Sequence, residues 1–526
     1  MFKITNLTIP LLSNKSLEEI IAKKYNVNIK DINIYRIIKK SIDARDQNNI
    51  KFIYSLFCEI NNYEIRKHDK NITINNDYEL RYLNPKNVNS KAKVAVIGYG
   101  PCGIFATLNL LKAGLDVTVI ERGKKVEERI KDIEKLFFNH EFNKNSNVGY
   151  GEGGAGTFSD GKLNTGVNDP YSLVVYSEFV KYGAPKEILY DAHPQIGSDN
   201  LRNVLINIRK DIENKVNFLF EHTFINFKYN NSKIILTLEH NENIIEKEFD
   251  YVLLAIGHNP NETFKMLYNN GIEMEAKPFS MGVRIEHLRK NIDFANYGKY
   301  STHPKLSSST YKLVTHLKNG RSVYTFCMCP GGVVVPSNTD ENSIVTNGMS
   351  YFARDMENSN SALLVNVTPL DYGNTPLGGF EFQRKYEKLA FDLYNSYKAP
   401  TQLVKDFLKD RISKDFGTVK ASYYGGTIFA NLKDCLPDFV YESLKMALPK
   451  LNLMLKGFSD GDAILTGIES RSSCPTRIIR KDYESSLSNF FVAGEGSGYS
   501  GGITTSAIDG IKCSEAIINK IIKRQE

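Results

Sequence analysis

One stretch limits what this chain can fold into more than any other. Lys93 to Glu121 reads as a short apolar strand (Val94 to Ile97), a turn with glycines at 98, 100 and 103, a helix (Ile104 to Ala113) and a second strand (Val117 to Ile120) that ends on an acid. Strand, glycine turn, helix and strand in that order predict an α/β, Rossmann-like unit. Gly98 permits the tight turn, Gly100 lets the backbone approach a pyrophosphate, and Gly103 lets helix and strand pack closely. Pro101 and Cys102 fill the turn, where small residues are usual, and the helix start offers unpaired N–H groups to phosphates. Glu121 can accept hydrogen bonds from a ribose 2′-OH; on its own it would read as a surface acid at a strand end. Arg122 follows. A basic residue here can mark a 2′-phosphate, but with Glu121 retained it reads only as a neighbour of the cofactor. The stretch predicts a bound dinucleotide.

The fingerprint serves NAD and FAD alike, and two further segments favour FAD. Phe249 to Asn259, F-D-Y-V-L-L-A-I-G-H-N, is a buried strand ending in a sharp turn at Ala255 and Gly257. Phe490 to Ile511 is a short strand, an acid between glycines (Gly494, Glu495), and a second glycine cluster (Gly501, Gly502) that opens a helix at Ile503. A long cofactor with a ribityl chain needs such a late acceptor and such backbone N–H groups; an NAD domain does not. The chain resembles the FAD-dependent oxidoreductases of the glutathione-reductase-like superfamily. G-E-G-G-A-G-T-F-S-D-G-K-L (Gly151 to Leu163), K-P-F-S-M-G-V-R-I-E-H (Lys277 to His287), C-M-C-P-G-G (Cys327 to Gly332) and V-T-N-G-M-S (Val345 to Ser350) narrow the resemblance. It is to the broadly distributed FAD-dependent dehydrogenases related to geranylgeranyl reductases and electron-transfer-flavoprotein dehydrogenases, and it spans the whole chain. It implies FAD and a redox reaction, without a substrate. In that superfamily the segment after the second strand crosses near the FAD pyrophosphate and ring, which implies roles for Gly153, Gly154, Thr157 and Ser159.

At 526 residues more than one domain is expected. Residues 1–88 form a small N-terminal α/β domain, with Ser16 and Glu19 at capping-box spacing ahead of a helix at Ser16 to Lys24. Residues 89–275 carry the first part of the FAD-binding domain, including three strands from Phe218 to Phe249. Residues 276–455 make a strand-rich substrate domain, helical at Tyr386 to Leu408. Residues 456–526 close the FAD-binding domain.

Candidates for chemistry are fewer. Lys162 follows the glycine loop and fits either the flavin N1–C2=O edge or the surface. His193 and His258 are the histidines closest in sequence to FAD segments, each a proton donor or a structural residue. Glu469 and Arg471, just before the closing segment, are read as contacts to substrate or flavin. Cys327 and Cys329 lie two apart, which on a regular strand puts both thiols on one face. They read as a redox pair or as small thiols in a turn-forming Cys-Pro-Gly-Gly, and no further ligands complete a metal site. A second strand–glycine–helix unit for NAD(P)H is absent, as is a C-x-x-x-x-C after the first helix. Electrons therefore enter from transient NAD(P)H, from a carrier protein, or from a small-molecule substrate.

Composition excludes little else. The formal charge of +7 reads as solvated lysines, so no nucleic-acid partner is expected. No apolar run suits a transmembrane segment, no signal peptide pattern is seen, and seven scattered cysteines point to a reducing cytoplasm. The reading is an FAD-dependent oxidoreductase that moves a hydride between flavin and an organic substrate, with a hydrophobic one suggested by the lipid-reducing relatives. The alternative is a flavin-bearing scaffold or an RNA-modification-related protein that uses FAD structurally.

Overall fold

The strand–helix–strand unit is the centre of a five-stranded, all-parallel sheet in the order Phe490–Val492, Tyr251–Leu254, Lys93–Ile97, Asp116–Ile120, Asn217–Leu219. The computed structural model describes residues 1–65, 69–163 and 165–526. Alternate strand residues face opposite sides. Val94 and Val96 pack with the helices Pro101–Lys112 and Ile503–Gln525, while Ala95 and Ile97 pack with a three-stranded antiparallel layer. That layer is Thr223–Asn230, Lys233–His240 and Asn243–Phe249, turned at Asn231 and Asn241 with positive φ, as its Asn-rich breaks predict. The two helices approach closely: a Cβ on Gly510 would lie 2.2 Å from the Cys102 carbonyl oxygen. The last helix thereby fixes the glycine turn from behind.

A second, seven-stranded sheet runs Val314–His316, Ser322–Cys329, Asn358–Val367, Phe279–Leu288, Ile464–Glu469, Ala399–Leu403, Thr427–Phe429. Every residue of Phe279–Leu288 is buried, three of them charged or titratable: Arg284, Glu286 and His287. Two local expectations give way here. Ile464–Glu469, read from sequence with the closing cofactor segment, pairs with Phe279–Leu288 in this sheet. The helix expected over Tyr386 to Leu408 runs instead from Gly378 to Asp392 and gives way to the strand Ala399–Leu403. Pro400 forces the residue before it out of helical backbone, so the chain extends.

The N-terminal sheet has the order Ile32–Asp43, Lys51–Ile60, Phe2–Pro10, Ile72–Ile74, with the helix Leu17–Tyr25 packed on it through Ile21 and Tyr25. The capping box forms. Ser16 Oγ accepts from the Glu19 N–H at 3.1 Å, and the Glu19 carboxylate accepts from the Ser16 N–H at 2.6 Å. The module docks by its edge strand: the Lys40 N–H donates to the Tyr190 carbonyl (2.7 Å) and the Ala192 N–H to the Lys40 carbonyl (2.9 Å). It thus abuts the segment that carries His193. Among the described residues no helix is long and apolar enough to cross a membrane.

Candidate functional site

The glycine turn opens into a cavity of about 1070 Å³ that reaches from the parallel sheet to the seven-stranded one. Its wall on the side of the parallel sheet includes Gly98, Gly100, Pro101, Cys102, Glu121, Arg122, Gly154, Ser159, Gly257, Glu495, Gly501, Gly502 and Ile503. Lys162, His193, Glu469, Cys327 and Cys329 also line it. Sequence segments separated by hundreds of residues converge on one space.

Each turn glycine has a distinct steric reason. Gly98 has φ +96°, and a Cβ there would lie 2.4 Å from the Ala255 carbonyl oxygen. A Cβ on Gly103 would lie 1.9 Å from the Gly98 carbonyl oxygen, so this glycine sets the helix–strand distance. Gly100 differs. A Cβ there would meet only Gly154, at 3.7 Å, so the space above it is free for a ligand. The helix Pro101–Lys112 starts with no side-chain cap, which leaves first-turn N–H groups for an anion. A pyrophosphate fits this cradle.

Glu121 is buried, and its carboxylate is already busy. Oε2 accepts from the Tyr99 N–H (2.8 Å); Oε1 accepts from the Gly123 N–H (2.8 Å) and the Gly151 N–H (2.9 Å). A carboxylate has about four acceptor positions, so one remains for a ribose hydroxyl. Glu121 therefore fastens the glycine loop as well as facing the cavity. Arg129 holds the same loop from within. Fully buried, it donates to the carbonyls of Asn147 (2.9 Å), Val148 (2.8 Å) and Glu152 (2.7 Å), and burial lowers its pKa to about 9. Arg122 stacks on the Tyr150 ring at 4.4 Å and donates to Asn145.

Five of the expected cofactor residues stand behind the wall. Gly103 packs as described. The Gly153 N–H donates to the Tyr99 carbonyl, and the Thr157 hydroxyl to the Glu152 carbonyl. The Ala255 N–H donates to the Ile97 carbonyl (2.7 Å), and the Gly494 N–H to Asp509 (2.8 Å). They shape the turns that present their neighbours. His258, by contrast, lines the cavity and lies 3.1 Å from Glu495.

On the side of the seven-stranded sheet the wall is charged. Lys162 Nζ lies 2.7 Å from Asp160 and 3.8 Å from the Cys329 thiol. Burial works against the ammonium, and Asp160 outweighs it, so the Lys162 pKa is raised. Beneath the wall, Arg284 pairs with Glu469 at 2.9 Å, donates to the Cys327 carbonyl at 2.7 Å and lies 3.6 Å from the Cys329 thiol. Burial pushes the Glu469 carboxyl up, against the pull of Arg284. Burial, with help from Arg354, lowers the His193 pKa. Arg471 is held by Glu387 and Asp340, both at 2.6 Å, and donates to the Asn259 side-chain carbonyl at 3.3 Å. The two thiols do not keep regular strand geometry. A bulge falls between Phe326 and Cys329, Cys327 has φ +42°, and its side chain is open while Cys329 is buried.

Residues 278–472 match the family model described as "FAD-dependent protein, C-terminal domain-like", and residues 1–59 match a domain of unknown function, DUF8436. A Clostridium beijerinckii protein, described as an uncharacterized protein, is 44% identical over 530 residues, 98% of each chain. The chain belongs to that protein's family. The FAD-dependent match supports the cofactor expectation; membership in the geranylgeranyl reductase group remains a resemblance. Among solved structures, the flavin-dependent halogenase CmlS is similar over 82% of this chain and 59% of its own, at 12% identity and TM-score 0.37. A flavoprotein/dehydrogenase from Cytophaga hutchinsonii matches over 82% and 79%, at 12% identity and TM-score 0.35. CtdE in complex with FAD matches over 81% and 84%, at 9% identity and TM-score 0.32.

Three wall or sub-wall residues escape the sequence reading: Asp160, Arg284 and Arg354. The signal for Arg284 was present, since a charge inside the buried run F-S-M-G-V-R-I needs a partner.

Proposed function

We propose that this protein is a flavoenzyme in which FAD is held by the backbone at Gly98 and Gly100, by Glu121 and Arg122, by Gly154 and Ser159, and by Glu495 and Gly501 to Ile503. One observation carries the reading: the ligand-sized space above Gly100 is continuous with the charged wall at Lys162, His193 and Glu469. When bound, FAD supplies two-electron chemistry, exchanging a hydride with an organic substrate. The chain's own groups orient and polarise. Lys162, kept protonated by Asp160, holds a positive charge at the wall. His193 stands on the same wall as the candidate proton carrier. Glu469 is tied to Arg284 and serves by charge and position. A structural FAD in a scaffold has no need of this charged wall, which favours the dehydrogenase or reductase.

The test is direct. Purified or reconstituted protein is expected to be yellow and to release FAD on heating. An anaerobic metabolite screen, read by bleaching of the flavin band, then identifies the reductant, with NAD(P)H included. Folded protein by circular dichroism that takes up no flavin would overturn the proposal.

A further inference from the structure

The inference rests on the flavoenzyme reading and names a substrate class for it. We propose that the cavity takes an organic substrate bearing a carboxylate, seated by Arg354 beside Lys162.

Two cations share one carboxylate at this corner. Asp160 serves two cations, Lys162 at 2.7 Å and Arg354 at 3.2 Å, and Glu469 is taken by Arg284 at 2.9 Å. Lys162 and Arg354 thus share the one carboxylate within ion-pair distance of both, with Asp191 acting on Arg354 from farther off. Arg284 is wholly buried and saturated by Glu469, Asn360 and the Cys327 carbonyl, so it offers nothing to a ligand. Arg354 is different. It lines the cavity, its side chain is only 11% exposed, and its Nε is buried without a hydrogen-bond partner. That Nε is sealed off from the cavity, so any ligand contact falls to the outer guanidinium nitrogens, whose ion-pair partner Asp160 is shared with Lys162; a carboxylate is the acceptor that matches their planar fork. The backbone supports the assignment. Arg354 has φ +51°, a region that side-chain-bearing residues rarely adopt, and its carbonyl is fixed by the Ser308 hydroxyl at 2.7 Å. Phe326, Met328 and Tyr311 supply apolar wall for the rest of the molecule. The substrate is thus an organic acid with an apolar body, in place of a wholly hydrophobic one.

The phosphates of FAD are the competing source of negative charge. The experiment separates the two sources. FAD loading is measured first by absorbance, and failure there counts against the flavoenzyme reading alone. The loaded protein is titrated calorimetrically with acetate, benzoate and trans-cinnamate, and with the amide of each. At least one acid is expected to bind roughly 10-fold or more tightly than its amide. Arg354→Met should cut acid affinity roughly 10- to 100-fold, the size of a lost charge-assisted pair, with amide and FAD affinities unchanged. Arg354→Lys should fall between. Asp160→Asn frees both cations and should raise acid affinity several-fold, a gain that no folding defect produces. The proposal fails if no acid in the panel outbinds its amide, or if the preference survives Arg354→Met.

Discussion

Gly100 and Gly103 stand three residues apart in one turn, and the structure predicts opposite consequences for the same substitution. A Cβ at Gly100 meets only Gly154 at 3.7 Å, ordinary contact, and the backbone there (φ −80°, ψ −173°) suits any residue, including one that precedes proline. Gly100→Ala should therefore leave the apoprotein's stability within about 1 kcal/mol of wild type. Its methyl group, and more so the side chain of Gly100→Val, occupies the space over the uncapped helix start. If that displaces a pyrophosphate from two charge-assisted N–H donors, each worth about 1.5–3 kcal/mol, FAD affinity falls roughly 10²- to 10⁴-fold. A Cβ at Gly103 instead lies 1.9 Å from the Gly98 carbonyl oxygen, so helix and strand must part. Overpacking of that kind costs about 1–3 kcal/mol or more, and the apoprotein melts several degrees lower. The assay pairs thermal melting of the apoproteins with FAD titration by flavin fluorescence quenching. Gly100→Val binding FAD within about threefold of wild type would refute the pyrophosphate cradle. Gly100→Ala melting as low as Gly103→Ala would refute the steric reasoning.

Glu121→Ala should do two things. FAD affinity should drop roughly 10- to 150-fold through the lost ribose bond, and the melting temperature should drop because three buried N–H groups lose their acceptor; an unchanged dissociation constant would remove Glu121 from the ribose. The double variant Cys327→Ser, Cys329→Ser should titrate like wild type with dithionite, at about two electrons per FAD; a wild type that consumes about four, with two lost in the variant, would establish a flavin–disulfide relay. His287, whose Nε2 bonds the Phe458 carbonyl at 2.6 Å, is held by burial at a pKa of about 4. Its folded value lies below the unfolded ~6.5, so between about pH 6.5 and 4 the unfolded chain binds a proton that the folded chain refuses. Stability should fall as pH drops through that window, by up to about 1.4 kcal/mol per pH unit from this site, and His287→Gln should flatten that slope in urea melts.

The parts of this site that could be read from sequence are those where the backbone does the work. A turn that needs φ +96° at Gly98, or no Cβ at Gly103, announces itself by residue identity at fixed spacing, and the strands on either side announce themselves by unbroken apolar runs. The same local signal cannot say which glycine faces a ligand. Gly154 and Gly153 are adjacent, yet one lines the cavity and the other binds the Tyr99 carbonyl behind it. The charged wall was harder still. Arg284 meets Glu469 across 185 residues and Arg354 meets Asp160 across 194, so no spacing rule joins them. Nor does local sequence show that Ile464–Glu469 pairs with Phe279–Leu288, nearly two hundred residues earlier. What distinguishes these residues in the sequence is a cost: an arginine inside a fully buried strand has to be paired somewhere. Arg284 finds its partners within the protein and becomes structure. Arg354 shares Asp160 with Lys162 and lines the cavity, and that is why the acid-binding role is proposed for it and not for Arg284.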